Sequence, residues 1–161
     1  MKKHTFFTLP VQKFLASAPM SWLMARILHH ADALVLRLSG GKHTLAEITG
    51  VPIVEVTTIG AKSGQPRALP LTGLPDGEKY VLIASNFGRA RNPGWYYNLK
   101  VNPECTVNTG GNVRTYIARE ADEIETRFYY DMAVKYHFGY AIYKQRAGTR
   151  KIPVMILEPR R

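Results

Sequence analysis

Lys62, Ser63 and Arg67 sit in the run Thr57-Thr58-Ile59-Gly60-Ala61-Lys62-Ser63-Gly64-Gln65-Pro66-Arg67, which has the residue types of an anion-holding turn. Gly60 and Gly64 let the backbone bend tightly enough for its N–H groups to approach an anion, and the three polar side chains add donors. No Gly-Lys-Ser/Thr follows the spacing that a Walker loop requires. Taken alone, the run reads as a polar hairpin turn. A second run, Ser85-Asn86-Phe87-Gly88-Arg89-Ala90-Arg91-Asn92-Pro93-Gly94-Trp95-Tyr96-Tyr97-Asn98-Leu99, gathers small hydrogen-bonding residues, two arginines and three aromatics around a helix start. Free N–H groups and the macrodipole make a helix N-terminus attractive to anions. The competing reading is a solvated loop followed by a core tryptophan. Two anion-competent turns in one chain argue against two idle loops.

Other chemistry-bearing residues are sparser. Tyr136, Tyr140 and Tyr143 follow at spacings of four and three, so a continuing helix puts them on one face, for packing or for stacking on a ring. Gly139 interrupts that run, and His137 stands beside it as a proton donor or a surface residue. His29 and Asp32 lie three apart on a helix but lack further partners for a metal. Cys105 alternates with Val107 and reads as core rather than nucleophile. A single cysteine excludes an internal disulfide framework and a multi-cysteine zinc site. No catalytic triad, paired acids or metal cluster emerges.

The elements that must position these residues follow from periodicity. Met20, Leu23, Met24, Ile27, Leu28, Ala31, Leu34, Val35 and Leu38 trace one face of a helix, with Arg26, His29, His30 and Arg37 opposite and Ser39-Gly40-Gly41 as its stop. That helix either packs on the domain or lies at a membrane interface with Phe6, Phe7, Phe14 and Trp22. Strands are expected over residues 51–58, 67–74, 80–86, 104–109, 113–120 and 152–158. Pro75-Asp76-Gly77 and Gly110-Gly111 supply hairpin turns. Asn92-Pro93 opens a short helix running to about Val101. Residues 122–136 form a longer one, with Ile124, Phe128 and Met132 four apart. Six short strands with few helices between them favour a small antiparallel barrel.

At 161 residues, 45% apolar and 21% charged, the chain has the size and composition of one globular domain. The net charge is +10, and the excess is not a tail. Residues 1–50 hold six basic and two acidic side chains, while 51–120 and 121–161 each hold eight and five. A basic surface spread along the fold points to an anionic partner: nucleic acid, membrane or a polyanionic small molecule. The start through Lys2, Lys3 and Phe6–Val11 mimics a secretory signal, but Gln12 and Lys13 cut its apolar run short. The longest uncharged stretch, residues 14–25, is too short to span a bilayer. Neither a signal peptide nor a transmembrane helix is expected.

The two runs above and the ending Tyr140-Ala141-Ile142-Tyr143…Arg150-Lys151-Ile152-Pro153-Val154…Leu157-Glu158-Pro159 together resemble the deazaflavin-dependent nitroreductase family. The resemblance covers residues 51–159, in three motifs of matching order and spacing. It implies an α+β, mainly β fold: a six-stranded antiparallel split β-barrel with an N-terminal helix and flanking helices. The chain would be a single domain, 1–161, with a helical segment at 1–41 and the barrel at 51–159. It also implies coenzyme F420, whose phosphodiester and oligoglutamate tail suit a basic pocket. By that analogy Lys62, Ser63 and Gly64 hold the phosphate, with Arg67 near the tail. Pro70 and Leu71 line the ring site, and Ser85, Asn86, Phe87 and Gly88 touch the deazaflavin. Asn92, Trp95 and Asn98 close the cleft. Tyr136, Tyr140 and Tyr143 belong to the substrate pocket, where they and Ser85 are the catalytic candidates. Phe87 stands where many members carry glycine.

The implied activity is hydride transfer from reduced deazaflavin to an electron-poor acceptor: a quinone, a nitroaromatic or an activated alkene. A flavin mononucleotide (FMN) enzyme of the same fold and a non-catalytic F420 carrier are the alternatives. A nucleic-acid-binding barrel is disfavoured, because the aromatics cluster at a helix rather than along a sheet face. The expected location is the cytoplasm, with peripheral membrane contact through the N-terminal helix as the variant.

Overall fold

A computed structural model of the chain describes residues 51–161. The signal-like start, the helix expected over residues 20–38 and the His29–Asp32 pair lie outside the described residues. β1 (Ile53–Ile59) shows why these segments are strands: Val54, Val56 and Thr58 are buried and the residues between them only half-buried, a period of two. Six more strands follow: β2 (Pro66–Thr72), β3 (Leu74–Asp76), β4 (Lys79–Ile83), β5 (Glu104–Thr109), β6 (Asn112–Glu120) and β7 (Val154–Pro159). They form one antiparallel sheet in the order β2-β1-β5-β6-β7-β4-β3. Three helices accompany it, α1 (Gly94–Val101), α2 (Glu123–Tyr136) and α3 (Gly139–Ala147), and a 3₁₀ turn spans Asn86–Gly88.

The pattern predicts six strands; the sheet has seven, and Gly73 is the reason. β2 pairs with β1 as far as Thr72, whereas Leu74 pairs with Val81 of β4 at the opposite edge. The Gly73 N–H donates to the Pro52 carbonyl at 3.0 Å. A Cβ on this residue would lie 2.5 Å from Val54 Cγ2. One residue thus carries the chain from one edge of the sheet to the other, and the sheet must curl until those edges meet. Pro75 and Asp76, expected in the turn, instead pair with Tyr80 and Lys79. The reversal falls at Gly77-Glu78, where Gly77 takes φ +59°. The Gly110-Gly111 hairpin is present as expected, with both glycines left-handed and Thr109 facing Asn112.

Alternation sorts the interior into two cores. Val54, Val56, Leu82, Trp95, Leu99, Cys105, Val107, Met155 and Leu157 pack together against α1. Val81, Ile83, Val154 and Ile156, the intervening residues of β4 and β7, face Tyr129, Tyr130 and Ala133 of α2 and Tyr140 and Tyr143 of α3. The first four residues of β7 are therefore buried on both faces, which is why residues 154–157 are continuously apolar. Cys105 is a core residue, and burial pushes its thiol up to about 12.

Asp122 caps α2 through a capping box: its carboxylate accepts from Glu125 N at 2.8 Å, and Glu125 Oε2 accepts from Asp122 N at 3.0 Å. Arg119 grips the same glutamate at 2.7 and 2.8 Å and holds its carboxyl down at about 2. The spacing of Ile124 and Phe128 marks the helix but not its buried face. Ile124 and Phe128 are 82% and 62% exposed, and Tyr129, Tyr130 and Ala133 turn inward instead. The two tyrosines can do so because their hydroxyls are paired, Tyr129 with Asp76 at 2.7 Å and Tyr130 with the Tyr140 carbonyl at 2.9 Å. Among the described residues no helix is long and apolar enough to cross a membrane.

Candidate functional site

The turn between β1 and β2 is closed by two backbone bonds, Gly60 N to Gln65 O at 2.9 Å and Gly64 N to Gly60 O at 2.8 Å. Gly64 takes φ +65° and faces open space. Lys62, Ser63, Gly64 and Arg67 are all exposed. The Ser63 hydroxyl accepts from Gln65 N at 3.3 Å and from Arg67 Nη2 at 3.4 Å. A basic, hydroxyl-bearing turn thus meets solvent with its donors outward. It is not free to drift. Asn98, on α1, accepts from Ala61 N through Oδ1 at 3.0 Å and donates from Nδ2 to the fully buried Thr58 hydroxyl at 3.0 Å. Asn102 adds a longer contact to the Ile59 carbonyl. Asn98, expected to close the cofactor cleft, uses its amide to lock this turn onto the helix.

Beyond β4 the chain takes a shape that L-amino acids avoid. Asn86, Phe87 and Gly88 are left-handed in succession, at φ +48°, +57° and +76°. For a residue such as Phe87 this costs about 1–2 kcal/mol. The turn is tied from within by Gly88 N to Ser85 O at 2.9 Å, Arg89 N to Asn86 O at 3.1 Å, and Asn86 Nδ2 to Arg91 O at 2.8 Å. It also presses on α3. A Cβ on Gly88 would lie 2.5 Å from Arg146 Cβ and 2.7 Å from the Tyr143 carbonyl oxygen. The Phe87 ring meets the Tyr143 ring edge-on at 5.6 Å.

Arg150 completes this loop, and sequence reasoning gave it no role. Its Nη2 donates to the Ser85 carbonyl at 2.6 Å, and its Nη1 to the Ala84 carbonyl at 3.3 Å and to Asn92 Oδ1. Burial pulls its pKa below the usual arginine value. Asn92 therefore does not cap α1: Pro93 occupies that position with no side-chain hydrogen bond. The only signal in the sequence was Arg150's membership of the C-terminal motif.

The tyrosines divide. α2 ends at Tyr136, His137 and Phe138 intervene, and α3 begins at Gly139. A side chain on Gly139 would put Cβ 2.4 Å from His137 Nε2, so the imidazole occupies that space. Tyr140 and Tyr143 are 6% and 7% exposed, while Tyr136 is 44% exposed and outside the buried ring group. Rings of Tyr130, Tyr140, Tyr143 and His137 lie 5.9–6.4 Å apart. The Tyr140 hydroxyl bonds to the Thr72 side chain, next to Leu71. Burial pushes the Tyr140 phenol up to about 12 and lowers His137, so the first stays protonated and the second neutral at pH 7.

The structure brings the β1–β2 turn, α1 and the end of β1 into one set through Asn98, and the 85–92 turn, Arg150 and α3 into another. Pro70 and Leu71 are half-buried on β2, with Leu71 packed on the barrel core. Ser85 is buried, and its carbonyl receives both Gly88 N and Arg150. Trp95 is a core residue. Shallow clefts of about 200 and 360 Å³ lie elsewhere, at Tyr80–Asn112–Arg114 and on the outer face of α2 at Ile124–Phe128. They contain none of the residues implied by the resemblance.

A curled antiparallel sheet whose two edges are linked at Gly73, with one helix on one face and two on the other, is the split-barrel class. Residues 29–159 match the family described as F420H2-dependent quinone reductase, and the chain belongs to that family. An F420H2-dependent quinone reductase of Mycobacterium tuberculosis is 36% identical over 112 residues, covering 68% of this chain and 74% of that protein. Among solved structures, an F420-H2-dependent reductase (FDR-A) is 40% identical and covers 66% of this chain and 94% of that one, with a TM-score of 0.61. A chain described as a domain-swapped dimer is 35% identical and covers 88% of this chain and 100% of that one, with a TM-score of 0.63.

Proposed function

We propose that this protein is an F420-dependent reductase that uses a quinone as its acceptor and holds its cofactor between the β1–β2 turn and the 85–92 turn. One observation carries the cofactor site: Lys62, Ser63 and Arg67 stand outward on a turn that Asn98 fixes to α1. That donor set fits a phosphodiester with an oligoglutamate tail, which needs ammonium, hydroxyl and guanidinium donors at a place that water can reach. When bound, the reduced deazaflavin supplies the hydride.

Everything else falls to the chain. Lys62, Ser63 and the Gly64 backbone hold the phosphate, and Arg67 meets the tail. Pro70 and Leu71 present apolar surface to the ring, and Ser85, Asn86, Phe87 and Gly88 border it. Asn92 and Trp95 shape the floor through the loop and the core. Tyr140 and Tyr143 form the wall against which the acceptor lies, and a protonated phenol there donates to the acceptor oxygen as charge develops. Hydride and one proton convert a quinone into its hydroquinone. Nitroaromatics and activated alkenes are electron-poor enough to be taken by the same wall. In this reading the protein works in the cytoplasm on a free small molecule.

Lys62→Ala is expected to weaken F420 binding by about 1.5–3 kcal/mol, the scale of a charge-assisted hydrogen bond, in a titration that follows deazaflavin fluorescence. Affinity of the unaltered protein should fall with added salt, because these donors are exposed. Tighter binding of FMN than of F420 in the same titration would overturn the cofactor reading. Binding without turnover of any quinone would leave a carrier.

Tyr143→Phe is expected to lower quinone turnover several-fold while F420 affinity stays nearly unchanged. Tyr136→Phe should do less, since that ring lies outside the buried group. Full activity in Tyr143→Phe would remove the hydroxyl from the chemistry. If Tyr143→Ala kept activity and lost only thermal stability, the residue would be core alone.

A further inference from the structure

We propose that Arg150 is the positioning residue of the deazaflavin site, its guanidinium clamping residues 85–92 into the one shape that presents Asn86, Phe87 and Gly88 to the ring. The inference rests on the F420 reading above. Its acceptors stand on both sides of the turn: the Ala84 and Ser85 carbonyls before it and Asn92 Oδ1 after it. The planar fork spreads its donors over two nitrogens in fixed directions, whereas the three donors of an ammonium share one nitrogen at the end of a flexible stem. Between the clamp points, Asn86 and Phe87 hold left-handed backbone without being glycine. Such conformations persist where the surroundings over-determine them.

What the arginine gives up supports the same reading. Its Nε is buried with no hydrogen-bond partner. The half-buried side chain has exchanged part of its hydration for two carbonyls and one amide oxygen, with no carboxylate among those partners. A guanidinium so placed is retained for what it holds, and its three side-chain hydrogen bonds all end on this turn or its flanks. Gly88 and α3 close the turn from the opposite side, where a Cβ would strike Arg146 and Tyr143. The strand end, the turn and the tyrosine wall are thereby set against one another. That is the precision on which hydride transfer depends, since a displacement of roughly an ångström is costly.

The test uses Arg150→Lys, which keeps the positive charge and removes the fork. Two measurements decide it: amide hydrogen exchange in the cofactor-free protein, and F420 affinity by fluorescence titration at fixed salt. The Gly88 and Arg89 amides, both hydrogen-bonded within the turn, should exchange at least tenfold faster in the variant, while β1 and β5 stay unchanged. The dissociation constant for F420 should rise at least tenfold although the charge is retained. In Arg150→Ala, added guanidinium ion should recover part of the affinity where methylammonium does not. Unchanged exchange, or faster exchange with unaltered F420 affinity, would overturn the proposal. Should Arg150→Lys fail to fold, Asn92→Ala removes one acceptor: faster exchange at Gly88 and Arg89 would support the clamp, and unchanged exchange would reject it. If the unaltered protein does not bind F420, the cofactor reading fails by itself, and the exchange data still decide whether Arg150 holds the turn.

Discussion

Gly88→Ala is expected to abolish measurable F420 binding and to destabilise the fold by about 2–5 kcal/mol, combining overpacking with a left-handed alanine. The added Cβ would lie 2.5 Å from Arg146 Cβ and 2.7 Å from the Tyr143 carbonyl oxygen. Neither obstacle is the flexible tip of a side chain. Relief therefore requires α3 to swing away or the 85–92 turn to open, and each motion separates the ring border from the tyrosine wall. The φ of +76° adds strain that no shift of neighbours relieves. Urea denaturation and F420 titration check the two halves. Gly94→Ala is the control, because a Cβ there meets nothing within 4 Å. Should Gly88→Ala match the unaltered protein in both measurements, the turn and α3 do not stay in contact in solution.

The second large effect is expected at Asn98. Asn98→Leu conserves approximate volume and removes an acceptor and a donor together. The Ala61 N–H and the buried Thr58 hydroxyl then face hydrocarbon. Each orphaned group costs roughly 1–3 kcal/mol, so a loss of about 2–5 kcal/mol is expected by urea denaturation. F420 affinity should fall as well, although Asn98 need never touch the cofactor, because the turn bearing Lys62 and Ser63 loses its tie to α1. A variant of ordinary stability with weakened binding would instead give Asn98 a direct contact. One that lost stability but kept its affinity would show that the turn holds its shape alone.

Much of this was legible in the sequence wherever local rules decide structure. Residues 104–109 form the expected strand to the residue, since alternation and Gly110-Gly111 leave little choice. The helix expected over residues 122–136 is present as α2, Glu123–Tyr136. What escaped depends on contacts distant along the chain. Leu69, Leu71 and Leu74 continue an apolar pattern through Gly73, so nothing local marks the crossing to the far edge. The four-apart spacing of Ile124, Phe128 and Met132 marks α2 without marking its inner face, because Tyr129 and Tyr130 bury themselves by pairing hydroxyls with Asp76 and a carbonyl. The two anion-competent runs were visible, yet Arg150 received no role. Its acceptors are mainly backbone oxygens, a partnership that residue types cannot advertise.

The strand order has a consequence for how this protein is made. β7 comes last in chain order, yet it lies between β6 and β4. Until Val154–Pro159 emerges from the ribosome, the pairing available leaves two pieces, β2-β1-β5-β6 and β4-β3, which the chain joins at Gly73 and again through residues 84–103. The facing edges of β6 and β4 carry unpaired N–H and C=O groups, and Val81 and Ile83 lack the neighbours that cover them. An exposed edge of that kind is a template for pairing with another chain. A chain that stops shortly before Val154 is therefore expected to aggregate, because both of those edges stay open to another chain.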